Sequence, residues 1–565
     1  MARKTTVGKP PARRSDPPAA EGHLERERKY EGEATASLPS LVPVEVTAVT
    51  AGTEQLRAVY YDTPDLRLLA HRITLRRRTG GHDAGWHLKL PAADGARLEL
   101  QLPLGSPEPD AAATATPTDV PTHVPADFLA RVRAYSRAAE LAPIARLATE
   151  RRRTLLTDGA DRVLAELAED TVTAHALDPS GAVRHEQRWQ EVEAELVDGE
   201  GTLLDAVEER LLAAGLHRSA SASKLARALG PAPAVTAVSA APGDEPGDEP
   251  DDVPGREAAG EAGDKAGGEP WSEPAPGSVG ALLTALLRQQ VGQLLAQDAE
   301  VRRDRPDAVH QMRICARRLR STLRVHERLL RPDAAGGLTS LAALEEELRW
   351  LGHTLGTARD REVLGERLLR DLDALDRAER PGPMRRRLKA WSRQGYRTAW
   401  RLTIRELEGA RYFALLDALE RLAARPPLRR RAGRPAAAEV HRLLSRERRR
   451  ACRRVAQALA LPHGTERDEA MHAARRAAKR ARYAGEGAAR PLFAAAMKGL
   501  QTVLGERQDA LMAAQALPEL AASAHRAGEP GFGYGVLYVR QRDAVAAAEA
   551  EVPGAQAVAG AVRVK

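Results

Sequence analysis

From Leu24 to about Gly230, apolar and polar residues alternate in short runs such as AVYYDT, ITLRRR, WHLKL, ARLELQL, RVLAELAEDTV and WQEVEAEL. GGHDAG, ADG, TDGAD and DPSG separate them. Period-two alternation between turn-forming residues predicts strands joined by turns, with helices such as TLLDAVEERLLAAG between them. Past residue 277 the period changes. GALLTALLRQQVGQLLAQ, LAALEEELRWLGHTLG and FALLDALERLAA place apolar residues three and four apart, which predicts a wholly helical second half. Between the halves, residues 231–276 have no apolar period and are rich in Pro, Gly, Ala and acid, with a GDEP repeat; they read as an acidic linker. The helical half also repeats itself. VHQMRICARRLR near 310 returns as MHAARRAAKRAR near 472, and LGTARD at 355 as LGERQD at 504, which predicts two related helical halves.

Composition sharpens this picture only in places. A chain of 565 residues is too long for one core, so two domains are the first expectation. Aromatic residues make up only 3% against 43% hydrophobic, so the interior is mostly Leu, Ala and Val, which favours helices. Cys315 and Cys452 both sit in Arg-rich helical patterns, which excludes a disulfide framework or a Cys-based zinc site and fits a reducing cytoplasm. The first residues are basic and Pro-rich without an apolar core, and no later stretch approaches a membrane span. Residues 1–21 are expected to be a disordered basic arm, residues 551–565 a disordered tail, and no membrane partner is expected.

The strand-like stretch HLERERKYEG has no apolar face: Glu25, Glu27 and Lys29 point one way, Arg26 and Arg28 the other. Such a strand is costly in a sandwich but suits a barrel whose lumen admits water and ligand. Other strands agree, with Arg76 and Arg78, Lys89, Glu99, and Arg151 and Arg153 each set on one face, although in Arg151-Arg152-Arg153 a one-residue slip would exchange the inward side chains. Acids follow: Glu166 and Asp170 share a face, as do Glu191, Glu193 and Glu195. Arg and Lys hold phosphate oxygens while clustered carboxylates hold Mg²⁺, so the mixture points to a polyphosphate chain with metal. Asp62 in YYDTPD is taken as a turn residue.

This ordered set, Glu25-Arg26-Glu27-Arg28-Lys29 followed by YYDT, LRRR, HLKL and EVEAEL over residues 22–230, resembles the CYTH, or triphosphate tunnel metalloenzyme, family. The resemblance implies an eight-stranded antiparallel tunnel barrel with flanking helices. It implies Glu25, Glu27 and Lys29 as catalytic, and Lys29, Arg76, Arg78, Lys89, Arg151 and Arg153, with Lys224 of SASKLARAL, as phosphate-binding. The implied metal site, for Mg²⁺ or Mn²⁺, draws on Glu25, Glu27, Glu191, Glu193, Glu195, Glu166 and Asp170, with Glu99 behind it.

In the helical half, His310, Arg313, Arg317 and Arg324 form one basic stripe, and His472, Arg475, Lys479 and Arg482 repeat it. Arg446, Arg450 and Arg453 add charge on another helix, and Arg318 flanks the first stripe. Like charges on one face repel, and a polyanion would relieve them. With LGTARDREV and LGERQD, these stripes resemble the CHAD domain over residues 277–550, which implies a paired helical bundle binding inorganic polyphosphate through these residues. Asp360 and Asp509 are expected to orient stripe arginines, and His326 and His353 to be structural. No metal role is expected for His310 and His472, which lack a second ligand at helical spacing. Nucleic acid is not expected as a partner, because no recognition module and almost no stacking aromatics are present. The whole reads as a multidomain α+β protein of the cytoplasm, associated with polyphosphate granules, that hydrolyses inorganic triphosphate or polyphosphate in its first domain and grips polyphosphate in its second. The alternatives are a non-catalytic polyphosphate binder, or a triphosphatase or cyclase acting on a nucleotide or thiamine triphosphate.

Overall fold

The structure, a computed structural model, describes residues 21–32, 46–92, 96–104, 123–221, 223–230, 272–331, 340–380 and 382–564. The expected arm, apart from residue 21, and the linker, apart from residues 272–276, lie outside them. The chain divides into two compact units, Met1–Ser239 and Ala240–Lys565.

In the first unit the strands are β1 (Glu21–Glu25), β2 (Glu27–Glu31), β3 (Thr47–Asp62), β4 (Thr74–Thr79), β5 (Gly85–Pro91), β6 (Arg97–Leu102), β7 (Ala142–Thr157), β8 (Val163–Leu177), β9 (Val183–Leu196) and β10 (His217–Arg218). The helices are α1 (Arg67–Ala70), α2 (Ala126–Ser136), α3 (Gly201–Ala213) and α4 (Lys224–Leu229). All ten strands form one sheet in the order β1-β6-β5-β4-β3-β7-β8-β9-β2-β10, antiparallel at every pairing. The expected count of eight is corrected to ten, because pairing lapses at Arg26 and divides the first strand, and His217–Arg218 adds a short edge.

The alternation is inverted relative to a sandwich. Apolar residues of one face pack outward under helices: Tyr61, Leu75, Trp86, Leu88 and Leu100 against Leu68 of α1 and Phe128 and Val132 of α2. Tyr30, Leu156, Leu167 and Val192 pack against Leu204, Val207 and Leu211 of α3. The other face is therefore left to charged side chains. Toward one end it turns apolar, where Tyr60, Leu147, Val172 and Trp189 meet Leu225 and Ala228 of α4.

The second unit is helical, as its period requires: α5 (Val279–Arg302), α6 (Ala308–Val325), α7 (Leu341–Asp373), α8 (Met384–Leu407), α9 (Ala410–Ala424), α10 (Ala436–Leu459), α11 (Thr465–Gly487), α12 (Pro491–Arg526) and α13 (Phe532–Ala561). One core joins Leu444, Ala451 and Val455 of α10, Met471, Ala474 and Ala478 of α11, Phe493 and Met497 of α12, and Val552 and Ala559 of α13. This corrects the expected tail. Residues 551–561 continue α13, because Val552 and Ala559 are buried in that core.

Candidate functional site

In the first unit the inner strand face encloses a cavity of about 390 Å³. Glu25 of β1 and Glu27 and Lys29 of β2 line it, while Arg28 turns out to Asp205 (2.5 Å) and Glu208 (2.6 Å) of α3. Alternation on β4 brings in Arg76 and Arg78, β5 brings Lys89, β6 Glu99, β7 Arg151, β8 Glu166, and β9 Glu193 and Glu195. Lys224 enters from α4, whose start is set by Ser223: its Oγ accepts from Ala226 N at 3.1 Å. Arg152 faces outward to Glu169, so the register places Arg151 inward.

Acids and bases interlock across the strands. Lys89 Nζ donates to both Glu25 oxygens at 2.8 and 2.7 Å and lies 3.7 Å from Glu99. Arg76 reaches Glu99 at 3.6 Å and Tyr60 Oη at 3.3 Å. Glu99 also meets His87 Nδ1 at 2.8 Å, so it stands beside Glu25 rather than behind it. Lys29 bridges Glu193 and, at 3.3 Å, Glu27. Arg151 makes a fork to Asp170 at 2.8 and 2.6 Å and reaches Glu193 at 2.6 Å.

Four expected site residues, Lys224, Asp170, Glu191 and Arg153, are engaged in ion pairs. Lys224 Nζ lies 2.9, 2.7 and 2.6 Å from Asp170, Glu191 and Glu193, so its ammonium holds the place a cation would take among them. Asp170 and Glu191 are also absent from the cavity lining. Arg153 is not in the lining either; Glu166 holds its fork at 2.8 and 2.6 Å, and Glu54 lies at 3.3 Å. Asp62 is the turn residue expected: its carboxylate accepts from the backbone N–H of Thr63, Leu68 and Leu69 at 2.7, 2.8 and 2.9 Å.

Burial splits the carboxylates into two kinds. Glu25 is pushed up to about 8 by burial and by its hydrogen bond to Glu99, with Lys89 opposing. Glu195 is pushed up to about 7 by burial, reinforced by Glu27 and Glu193. Burial works the same way on Glu193, but Lys224, Lys29 and Arg151 outweigh it and hold that carboxyl well below its usual range. Glu25 and Glu195 are thus the acids that the cavity's own cations leave under-compensated. This donor chemistry, hard carboxylate oxygens short of positive charge, fits Mg²⁺ or Mn²⁺.

In the second unit α6 packs against α7 and α11, and α11 against α12. The two stripes come together: Lys479 is pushed down to about 6 by burial and by Arg317, Arg475, Arg313 and Arg482 around it. Arg313 pairs with Asp360 at 2.7 Å and Arg475 with Asp509 at 3.9 Å, as expected of those acids. His472 Nδ1 donates to Gln508 Oε1 at 3.2 Å. His310 is pushed down to about 4 by burial and by Arg359, and its Nδ1 is buried without a partner. Arg318 pairs with Glu486 at 3.0 Å and lies over the Tyr483 ring. Arg324 (2.9 Å from Glu345) and Arg446 (2.9 Å from Val325 O) are held elsewhere, Arg450 feels Arg480 and Arg324, and Arg453 is exposed. His326 is the satisfied histidine expected, with Nδ1 donating to Thr322 O at 2.9 Å, whereas His353 is exposed.

Residues 23–229 match the CYTH domain and residues 285–518 the CHAD domain. The uncharacterized protein Rv2226 of Mycobacterium tuberculosis is 36% identical over 534 residues, 92% of this chain and 93% of its own. The chain belongs to the CYTH–CHAD proteins. Among solved structures, PptA from Streptomyces chartreusis is 25% identical over 49% of this chain and 99% of its own, with a TM-score of 0.41. The CHAD domain from the plant Ricinus communis is 24% identical over 54% and 98%, with a TM-score of 0.39.

Sequence reasoning missed several residues that line the CYTH cavity, among them His23, Tyr60, His87 and Asp83. Tyr60 and His87 each lie on the lumen face, one rung from an expected residue, as the pairings Tyr60↔Arg76 and Arg76↔His87 show. Counting two residues back from Lys89 would have found His87, whereas β3, which carries Tyr60, holds no expected site residue to count from. Asp83, in the GGHDAG turn, pairs with Arg78, and no periodic signal points to it. In the CHAD domain Arg359, beside His310, was passed over within the LGTARD echo.

Proposed function

We propose that the CYTH domain is a metal-dependent triphosphatase that hydrolyses inorganic triphosphate or polyphosphate, and that the CHAD domain binds inorganic polyphosphate. The observation that carries this reading is the 390 Å³ cavity in which Lys29, Arg76, Arg78, Lys89, Arg151 and Lys224 face Glu25, Glu27, Glu99, Glu193 and Glu195. Only β1 and β2, one residue apart, pair at opposite ends of the main strand order, β1 with β6 and β2 with β9. That join supports a closed sheet, and we take the cavity as a tunnel.

The cations hold phosphate oxygens, with the forks of Arg76 and Arg78 fixing orientation and Arg151, Lys29 and Lys89 contributing charge. Glu25, Glu27, Glu193 and Glu195 would hold the divalent ion, which when bound neutralises the phosphate chain and polarises its oxygens. The glutamate cluster that lines the cavity is placed to take the proton of the attacking water. In-line attack at a terminal phosphorus then releases orthophosphate. Val197 is the one aliphatic side chain in the described lining and Tyr60 the one aromatic carbon ring, which favours an inorganic chain over a nucleoside or thiamine triphosphate.

The test is phosphate release from tripolyphosphate with Mg²⁺, in wild type, Glu27→Ala and Lys29→Ala. Release that needs the metal and falls at least about 100-fold in both variants is expected. Ligand binding without release would leave the domain a binding protein.

A further inference from the structure

The repeated LG-xxx-D segments of the CHAD domain carry a glycine that no turn explains. Gly356 and Gly505 lie inside helices of 33 and 36 residues, α7 and α12, where glycine weakens the helix. Neither has a positive φ. What each does have is an arginine laid across it. A Cβ at Gly356 would stand 3.2 Å from Arg313 Nη2 and 3.3 Å from its Cζ, and one at Gly505 would stand 3.5 Å from Arg475 Nε and 3.6 Å from its Nη2. The crossing repeats in both halves, and in both the acid four residues further on receives the guanidinium, Asp360 at 2.7 Å and Asp509 at 3.9 Å. Both arginines also keep a buried Nε with no hydrogen-bond partner.

We propose that Gly356 is a positioning residue of the polyanion site, a bare notch that lets Arg313 lie against the neighbouring helix, pinned by Asp360; Gly505, under Arg475, is its looser counterpart. This rests on the polyphosphate reading of the domain. The two notches differ in tightness. A methyl group at 3.2 Å from Arg313 is closer than a carbon comfortably stands, and the neighbour is the tip of a flexible side chain, so Gly356→Ala moves the fork and spares the helix. At Gly505 the same methyl makes ordinary contact and is tolerated.

The experiment measures the affinity of the full chain for inorganic polyphosphate and its thermal unfolding, in wild type, Gly356→Ala, Gly505→Ala and Arg313→Ala, and in Gly356→Ala combined with Arg313→Ala. Gly352→Ala, on the same helix with nothing within 4 Å of its Cβ, is the control. Gly356→Ala is expected to weaken binding by roughly 3- to 10-fold without lowering the unfolding midpoint, and to add nothing once Arg313 is gone. Gly505→Ala and Gly352→Ala are expected to stay within about 2-fold of wild type. Failure of wild type to bind overturns the polyphosphate reading itself. Wild-type binding with Gly356→Ala unchanged, or with the loss persisting in the Arg313→Ala background, overturns the notch alone.

Discussion

Lys224 and Lys479 are two lysines that their surroundings push in opposite directions. Burial opposes the charge of Lys224, but Glu193, Asp170 and Glu191 outweigh it and hold its pKa well above the usual value. Lys224→Met would strand those carboxylates, and a loss of about 3–5 kcal/mol is expected in urea unfolding, partly restored by millimolar Mg²⁺ taking the ammonium's place. Lys479 is instead pushed down to about 6 by burial and by the arginines it faces, from an ordinary value of 10.5. Between those two pH values the unfolded chain binds more protons at this site, so its contribution makes stability rise with pH. A polyanion raises the pKa of Lys479, so binding takes up protons and affinity falls as pH climbs above 6. Calorimetry at pH 7.5 in buffers of different ionisation enthalpy should show uptake approaching about one proton per site, absent in Lys479→Arg.

At the scale of elements, the CYTH strands work because each divides its labour: apolar residues outward to a helix, charged residues inward to the cavity. Asp62 shows how the connection out of β3 is held. Three backbone N–H groups depend on its carboxylate. Asp62→Ala is expected to cost at least about 2 kcal/mol in chemical unfolding while leaving phosphate release per folded molecule unchanged, since Asp62 does not line the cavity. In the CHAD domain the corresponding economy is duplication. The pairs α6–α7 and α11–α12 present the same arginine, glycine and acid at the same relative positions.

Across the whole molecule, the clusters of the first unit draw only on residues 30–229, and those described here for the second only on residues 282–564. Each unit therefore carries its own core. Fragments 21–230 and 272–564 are each expected to unfold cooperatively, the first retaining phosphate release and the second polyphosphate binding. Loss of release from the first fragment, with its fold intact by circular dichroism, would show that the reaction needs the CHAD domain. Among the described residues, no helix is long and apolar enough to cross a membrane.

Local periodicity was enough to assign strand and helix, to place Glu25, Glu27, Lys29, Arg76, Lys89 and Arg151 on one face, and to pair the stripes of α6 and α11, because a side chain's direction follows from backbone repeat alone. It could not say which opposite charges would meet. Lys224 settling among Asp170, Glu191 and Glu193, Arg153 withdrawing to Glu166, and α13 running on past residue 551 all depend on distances between segments far apart in the chain. Ion pairing and core burial are decided by those distances, and they exist only once the chain has folded.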